Sequence, residues 1–302
     1  MRSGPYAVGD KVLVVDSKNR RYLLTLRDGG EFHTHAGVVP HSSFVGQAEG
    51  TTLRSTSGAR YLTLRPTLSD FVLSMPRGAQ VVYPKDLGPL LMMADVRAGA
   101  RILEAGVGSG ALSMAMLQAG ASVTGYEIRA DFAAVALRNV HAFLGPDVDY
   151  RIEERDVYEG IDETGLDSVV LDLPEPWRVV KHAEVALHPG GILVSYLPSI
   201  VQVSQLHEAL DASPFGLALT VEVLQRSWHV QGHSVRPDHR MVAHTGFLTS
   251  ARLLVPATVD APPSADSEAA GEAAISERQP IPDGDFAPGG PATPVGPAAL
   301  HD

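Results

Sequence analysis

Cysteine is absent from all 302 residues. That excludes disulfides, thiolate zinc sites and a cysteine nucleophile. Long apolar runs are missing too: none reaches the ~20 residues that span a bilayer. Met1–Asp10 lacks the apolar core of a signal peptide. The expectation is a soluble cytoplasmic protein with no membrane partner. Positive charge is scarce, with 24 Lys and Arg against 35 Asp and Glu, which at first argues against nucleic acid. The imbalance is local, however. Residues 255–302 hold eight acids and one base, Arg278, whereas residues 1–66 hold nine bases and five acids. The amino-terminal segment is therefore mildly basic, which permits RNA binding, although a solvated surface is the plainer reading of any basic face.

The final segment, 255–302, also has almost no large apolar residues and is rich in Pro, Ala and Gly. Such a composition cannot bury enough surface to offset ordering, so this acidic tail is expected to be disordered. Residues 1–66 read as a small all-β domain. Strands are predicted at 11–16 and 21–26, with Ser17–Arg20 as a turn, and again at 59–65. His33 and His35 stand at i and i+2 with His41 close behind. On one strand the first two would share a face. No acid is placed as a third ligand, so no metal is expected, and phosphate contacts or ordinary hydrogen bonds fit better.

Residues 67–254 form the second domain. A helix is expected over 66–75, then another entered through Pro84 and running to Met93. From Arg101 strands and helices alternate. Strands are predicted at 101–104, 121–127, 148–153, 166–172 and 190–196, and helices at 111–119, 130–143, 176–187 and 200–211. Continuous apolar strands such as Ser168–Leu171 indicate a parallel sheet covered on both faces. The fold class is a doubly wound α/β sheet. Two further extended segments follow, 217–228 and 243–254, joined by a polar connection containing Arg236, His239 and Arg240.

The stretch Glu104-Ala-Gly-Val-Gly-Ser-Gly110 is where chemistry is expected. Gly106, Gly108 and Gly110 suit a tight turn that approaches a ligand closely. Taken alone it is ambiguous. Gly106, Gly108 and Ala111 also satisfy the dinucleotide fingerprint, and Glu127 lies about 20 residues on, where a ribose-binding acid belongs. Ligands of open α/β sheets bind at the carboxyl ends of strands, and acids stand at four of them: Glu104, Glu127, Asp156 and Asp172. Glu104 is suited to the methionine end of a cofactor, Glu127 to ribose hydroxyls and Asp156 to an adenine amine. Singly, each fits a cap or a turn equally well.

The glycine loop, the Pro189-Gly-Gly191 step and the terminal hairpin resemble class I S-adenosylmethionine-dependent methyltransferases, whose last strand is antiparallel; this favours S-adenosylmethionine over a nicotinamide. A narrower resemblance rests on Phe32–Gly37, Met75–Asp86, Tyr126–Arg129, Leu171–Trp177, Ser195–Pro198 and His244–Phe247. Together these are similar to the homotetrameric tRNA (adenine-N1)-methyltransferases that modify adenine 58 of the T loop. The chain departs from that pattern at Leu173-Pro174. The resemblance implies Asp172, Tyr83 and Tyr196 as catalytic residues. It implies a cofactor site of Gln80, Glu104, Gly106, Gly108, Ser109, Gly110, Ala111, Leu112, Glu127, Arg129, Asp156, Val157 and Asp172. For tRNA it leaves His33, His35, Arg236, His239 and Arg240. A salt-bridged surface role suits Arg129 equally, and core packing suits either tyrosine. Three rivals stay open: a methyltransferase for another substrate, a non-catalytic RNA-binding subunit, and a nicotinamide dehydrogenase.

Overall fold

The computed structural model describes residues 4–78 and 80–255; the expected disorder of the tail falls outside them from residue 256 on. The described residues make one compact unit. Its amino-terminal part contains β1 (Lys11–Asp16), β2 (Arg21–Thr25), β3 (Glu31–Thr34), β4 (Gly37–Pro40), β5 (Thr52–Arg54) and β6 (Arg60–Leu64). An antiparallel sheet runs β2-β1-β6-β5, and β3-β4 is a separate hairpin. Alternation places Val12 and Val14 inward, where they pack with Tyr6, Leu26, Phe32, Phe44 and Tyr61. Asn19, at φ 59°, supplies the left-handed residue of the β1-β2 turn.

Two helices lead out of this region, α1 (Leu68–Ser74) and α2 (Pro84–Met93). Thr67 and Asp70 form a reciprocal capping box on α1. Pro84 occupies the first turn of α2, where its missing N–H is harmless.

The remaining elements are β7 (Arg101–Ala105), α3 (Ala111–Gln118), β8 (Ser122–Glu127), α4 (Ala130–Leu144), β9 (Tyr150–Glu154), β10 (Leu166–Leu171), α5 (Val180–Ala186), β11 (Leu187–Leu197), α6 (Ile200–Asp211), β12 (Phe215–Glu222), β13 (Gln225–Gln231), β14 (Ser234–Val242) and β15 (Phe247–Leu253). Seven of these strands form the main sheet, in the order β12-β15-β11-β10-β7-β8-β9. Strands β9, β8, β7, β10 and β11 run parallel, and β15 inserts antiparallel between β11 and β12. Alternate residues of the central strands feed two cores. Ile102, Val170 and Val194 face α1–α3, while Leu103, Val169 and Leu193 face α5 and α6.

Three expectations are corrected. The Pro189-Gly190-Gly191 step lies within β11 as an irregularity rather than ahead of it, and β10 pairs with both Leu187 and Ile192. A Cβ on Gly191 would come 2.9 Å from the His188 carbonyl oxygen, so the chain bends there on glycine. The predicted helix at 176–187 begins as a 3₁₀ turn, Pro176–Val179, before α5. The polar connection after β12 is itself a hairpin, β13-β14, which pairs with no other described strand.

Candidate active site

The carboxyl ends of β7, β8 and β10 bring Glu104, Glu127 and Asp172 around one cleft. Its lining includes Gln80, Glu104, Gly106, Gly108, Ser109, Ala111, Leu112 and Asp172, with no lysine or arginine among the lining residues. The glycine loop crosses from β7 to α3 with Gly106, Gly108 and Gly110 all at positive φ, a region that penalises any Cβ. Gly106 is the tightest point. A Cβ there would lie 2.1 Å from the backbone carbonyl oxygen of Asp172.

Each acid is held differently. Glu104 is buried at 1% exposure and accepts a 2.5 Å bond from Ser113 Oγ. Ser113 in turn accepts from the Tyr150 hydroxyl at 3.0 Å. Burial pushes the Glu104 carboxyl up to about 8, opposed by the Ser113 bond and reinforced by the nearby Asp172 and Glu127. Asp172 is half-buried; burial first, then Glu127, raises it to about 7. Glu127 accepts from the backbone N–H of Gly108 and of Arg129, both at 3.0 Å. Two carboxyls line the cleft, Glu127 holds the loop beside it and acts on both, and a cationic ligand favours the ionised form of this group. A dinucleotide pyrophosphate would meet the same field with the wrong sign.

The comparisons with known proteins bear directly on this site. The family described as "tRNA methyltransferase complex GCD14 subunit" matches residues 60–239, and "TrmI-like N-terminal" matches residues 4–53. The chain belongs to this tRNA methyltransferase family. The tRNA (adenine(58)-N(1))-methyltransferase TrmI of Thermus thermophilus is 39% identical over 245 residues, which cover 80% of this chain and 96% of the relative. The tRNA (adenine(57)-N(1)/adenine(58)-N(1))-methyltransferase TrmI of Methanocaldococcus jannaschii is 35% identical over 270 residues, covering 80% and 94%. Among solved structures, the tRNA (m1A58) methyltransferase TrmI of Aquifex aeolicus superposes with a TM-score of 0.74 at 26% identity, covering 83% of this chain and all of that one. A SAM-dependent O-methyltransferase of Thermotoga maritima gives 0.79 at 32% identity, covering 83% and 95%.

Within this TrmI-type fold the other expected residues fall into three groups. Ser109, Ala111 and Leu112 are buried along the glycine loop and α3, and Gln80 is exposed at the cleft. Asp156 is half-buried beside the end of β8. It caps the 3₁₀ turn Val157–Glu159 by accepting from the Tyr158 N–H at 2.9 Å, and Val157 is buried beneath it. Arg129 contributes its backbone N–H to Glu127, but its guanidinium bonds Asp131 and lies 3.7 Å from the Phe132 ring centre. The side chain thus takes the plain surface role.

Tyr196 is buried, and its phenol is pushed up to about 12, by burial first. Tyr83 is half-buried at the N-terminus of α2. The paired-histidine expectation fails. His33 lies on β3 and contacts Glu31, whereas His35 is in the following turn and meets Arg20. His41 is a core residue whose Nδ1 accepts from the Arg27 N–H. Arg236, His239 and Arg240 are exposed on β14.

Sequence reasoning missed Asn139. Buried on α4, it donates to the carbonyls of Pro76 and Ser109 at 3.0 Å each, tying the segment before α2 to the glycine loop. A lone Asn in a helical pattern carries no local signal for such a role. Ser113 and Tyr150 were equally silent, because Ser113 meets Glu104 only across the glycine turn and Tyr150 meets Ser113 from 37 residues away.

Proposed function

We propose that this chain transfers a methyl group from S-adenosylmethionine to N1 of adenine 58 in the T loop of tRNA. The observation that carries the reading is the trio Glu104, Glu127 and Asp172 around a glycine-lined cleft without basic lining residues. S-adenosylmethionine fits that field, since when bound it supplies an activated methyl group on a cationic sulfur. Glu127 accepts from the ribose hydroxyls, Glu104 faces the ammonium group, and Asp156 receives the adenine amine on its second oxygen.

N1 of adenine is a weak nucleophile because its lone pair competes with the ring and the exocyclic amine. Asp172 accepts a hydrogen bond from that amine and stabilises the positive charge that develops as N1 is methylated. Such a contribution is worth roughly 10²–10⁴-fold. The target base must leave its stack to reach the cleft. Tyr83 and Tyr196 hold it there, and stacking on an aromatic ring contributes about 1–3 kcal/mol.

His33, His35, Arg236, His239 and Arg240 are assigned to tRNA phosphates. Residues 1–66 act as the RNA-binding domain, in a cytoplasmic enzyme. Self-association into a tetramer supplies the rest of the platform. A two-stranded hairpin is marginal alone in water, and β13-β14 exposes Trp228, Val230, Val235 and Met241, which a second copy would cover.

The test is transfer of labelled methyl to unmodified tRNA transcript by wild type and Asp172→Asn, with mapping of the modified base. The expected result is label on N1 of adenine 58, with the rate at saturating cofactor reduced at least about 100-fold in the variant. Cofactor binding without tRNA methylation would move the search to another substrate.

A further inference from the structure

Pro84-Lys85-Asp86 and His244-Thr245-Gly246, from two stretches that carry the family resemblance, do not line the cofactor cleft. The structure joins them. Lys85 and Asp86 form an ion pair at 2.7 Å whose side chains are 2% and 0% exposed. An ion pair taken so far from water loses more in desolvation than it returns unless further bonds satisfy it. Here they do. Lys85 Nζ also donates to the Val223 carbonyl at 2.6 Å, and Asp86 Oδ2 accepts from Thr245 Oγ1 at 2.6 Å.

Val223 and Thr245 are the two roots of the β13-β14 hairpin: the chain leaves β12 through the first and re-enters β15 through the second. The same pair therefore grips both ends of the hairpin and anchors them to the first turn of α2, two residues from Tyr83. It also reaches Tyr196. Gly246, next to Thr245, lies against the phenol, since a Cβ there would come 2.5 Å from Cζ and 2.9 Å from Oη, and Thr245 and Asp86 both act on its titration. The charge of Asp172 also acts on the Tyr196 phenol, pushing it up.

We propose that Lys85, Asp86 and Thr245 are positioning residues that fix the Tyr196 phenol and the hairpin roots in one geometry, so that capture of the acceptor base depends on them while cofactor binding does not. This rests on the reading of Tyr196 as part of the acceptor pocket. The device acts through Tyr196 and touches neither donor nor acceptor.

Thr245→Val is the decisive variant, because it removes one hydroxyl at nearly constant volume. Asp86→Asn would leave a buried lysine unpaired and risks unfolding the protein. Cofactor affinity is measured by calorimetry, melting temperature by scanning calorimetry, and kcat and KM with tRNA transcript, for wild type, Thr245→Val, Thr245→Ser, Tyr196→Phe and the Val/Phe double variant. The expected result is at least a tenfold loss in kcat/KM for tRNA in Thr245→Val, restored to within twofold by Thr245→Ser, with cofactor affinity unchanged. The Val substitution should also add less than twofold to the loss already present in Tyr196→Phe. Full activity in Thr245→Val overturns the proposal. So does a parallel loss of cofactor binding, or independent effects of the Val and Phe changes. A wild-type enzyme that binds cofactor but leaves tRNA unmethylated would instead overturn the acceptor-pocket reading itself, and this inference with it.

Discussion

Glu104 and Asp172 carry protons that the unfolded chain would release at lower pH. Their folded values, about 8 and about 7, lie above the ordinary carboxyl range. The folded protein therefore binds protons more tightly than the unfolded one. The stability this gives the ligand-free enzyme is complete below ordinary carboxyl values and is lost as pH rises through about 7 to 8. A cationic ligand reverses the preference by favouring both carboxylates. S-adenosylmethionine is thus expected to bind with proton release near pH 7, and its affinity should rise between pH 6 and 8, by up to about tenfold per unit for each group that ionises. Calorimetry in buffers of different ionisation enthalpy measures the release directly. Binding heats that do not vary with buffer would refute it. In Glu104→Gln the release should shrink and the affinity fall.

Among the elements, α4 is tied to the glycine loop through one side chain. Asn139 satisfies the carbonyls of Pro76 and Ser109 together, and each such bond is worth about 0.5–1.5 kcal/mol net. Asn139→Ala is expected to lower stability by about 1–3 kcal/mol, seen as a lower melting temperature, and to weaken cofactor binding. Asn139→Asp should do worse, because a carboxylate placed against two carbonyl oxygens repels both. Equal effects of the two substitutions would argue against the hydrogen-bonding role.

How far such elements were legible in sequence followed the range of the forces that shape them. The Arg101–Ala105 strand, the glycine turn and the Ala111 helix start were readable because periodicity and positive φ act locally. The strand-end acids were readable as well, since a strand's direction fixes where its end points. His35 was misplaced because a two-residue turn after Thr34 outweighs strand alternation. The β13-β14 hairpin escaped because its strands are exposed and mix polar with apolar residues, so no buried face imposes a period. Asn139, Lys85 and Thr245 have roles made by contacts 30 to 159 residues away in sequence, which no local pattern encodes.

For the whole molecule, net charge misleads. The excess of acid lies mostly in residues 255–302, leaving the amino-terminal sheet mildly basic. The exposed apolar side chains of the hairpin, with Trp228 at 59% and Val230 at 70% exposure, are costly for a monomer and are where self-association should be decided. Replacing Trp228 and Val230 together by Ser is expected to shift the sedimenting species toward dimer or monomer, with tRNA methylation reduced and cofactor affinity retained. An unchanged sedimentation coefficient would refute self-association through this hairpin.

The contact between Gly106 and the Asp172 backbone has a mechanical meaning. With no side chain between them, the glycine loop, which under the proposed reading holds the methyl donor, and the strand end that carries Asp172 rest directly on one another. Under the same reading, this close contact sets the gap the methyl must cross. Under the proposed reading the compliance needed to bring N1 into line belongs to the tRNA, whose T loop must open, and substrates should be ranked by how readily that loop deforms.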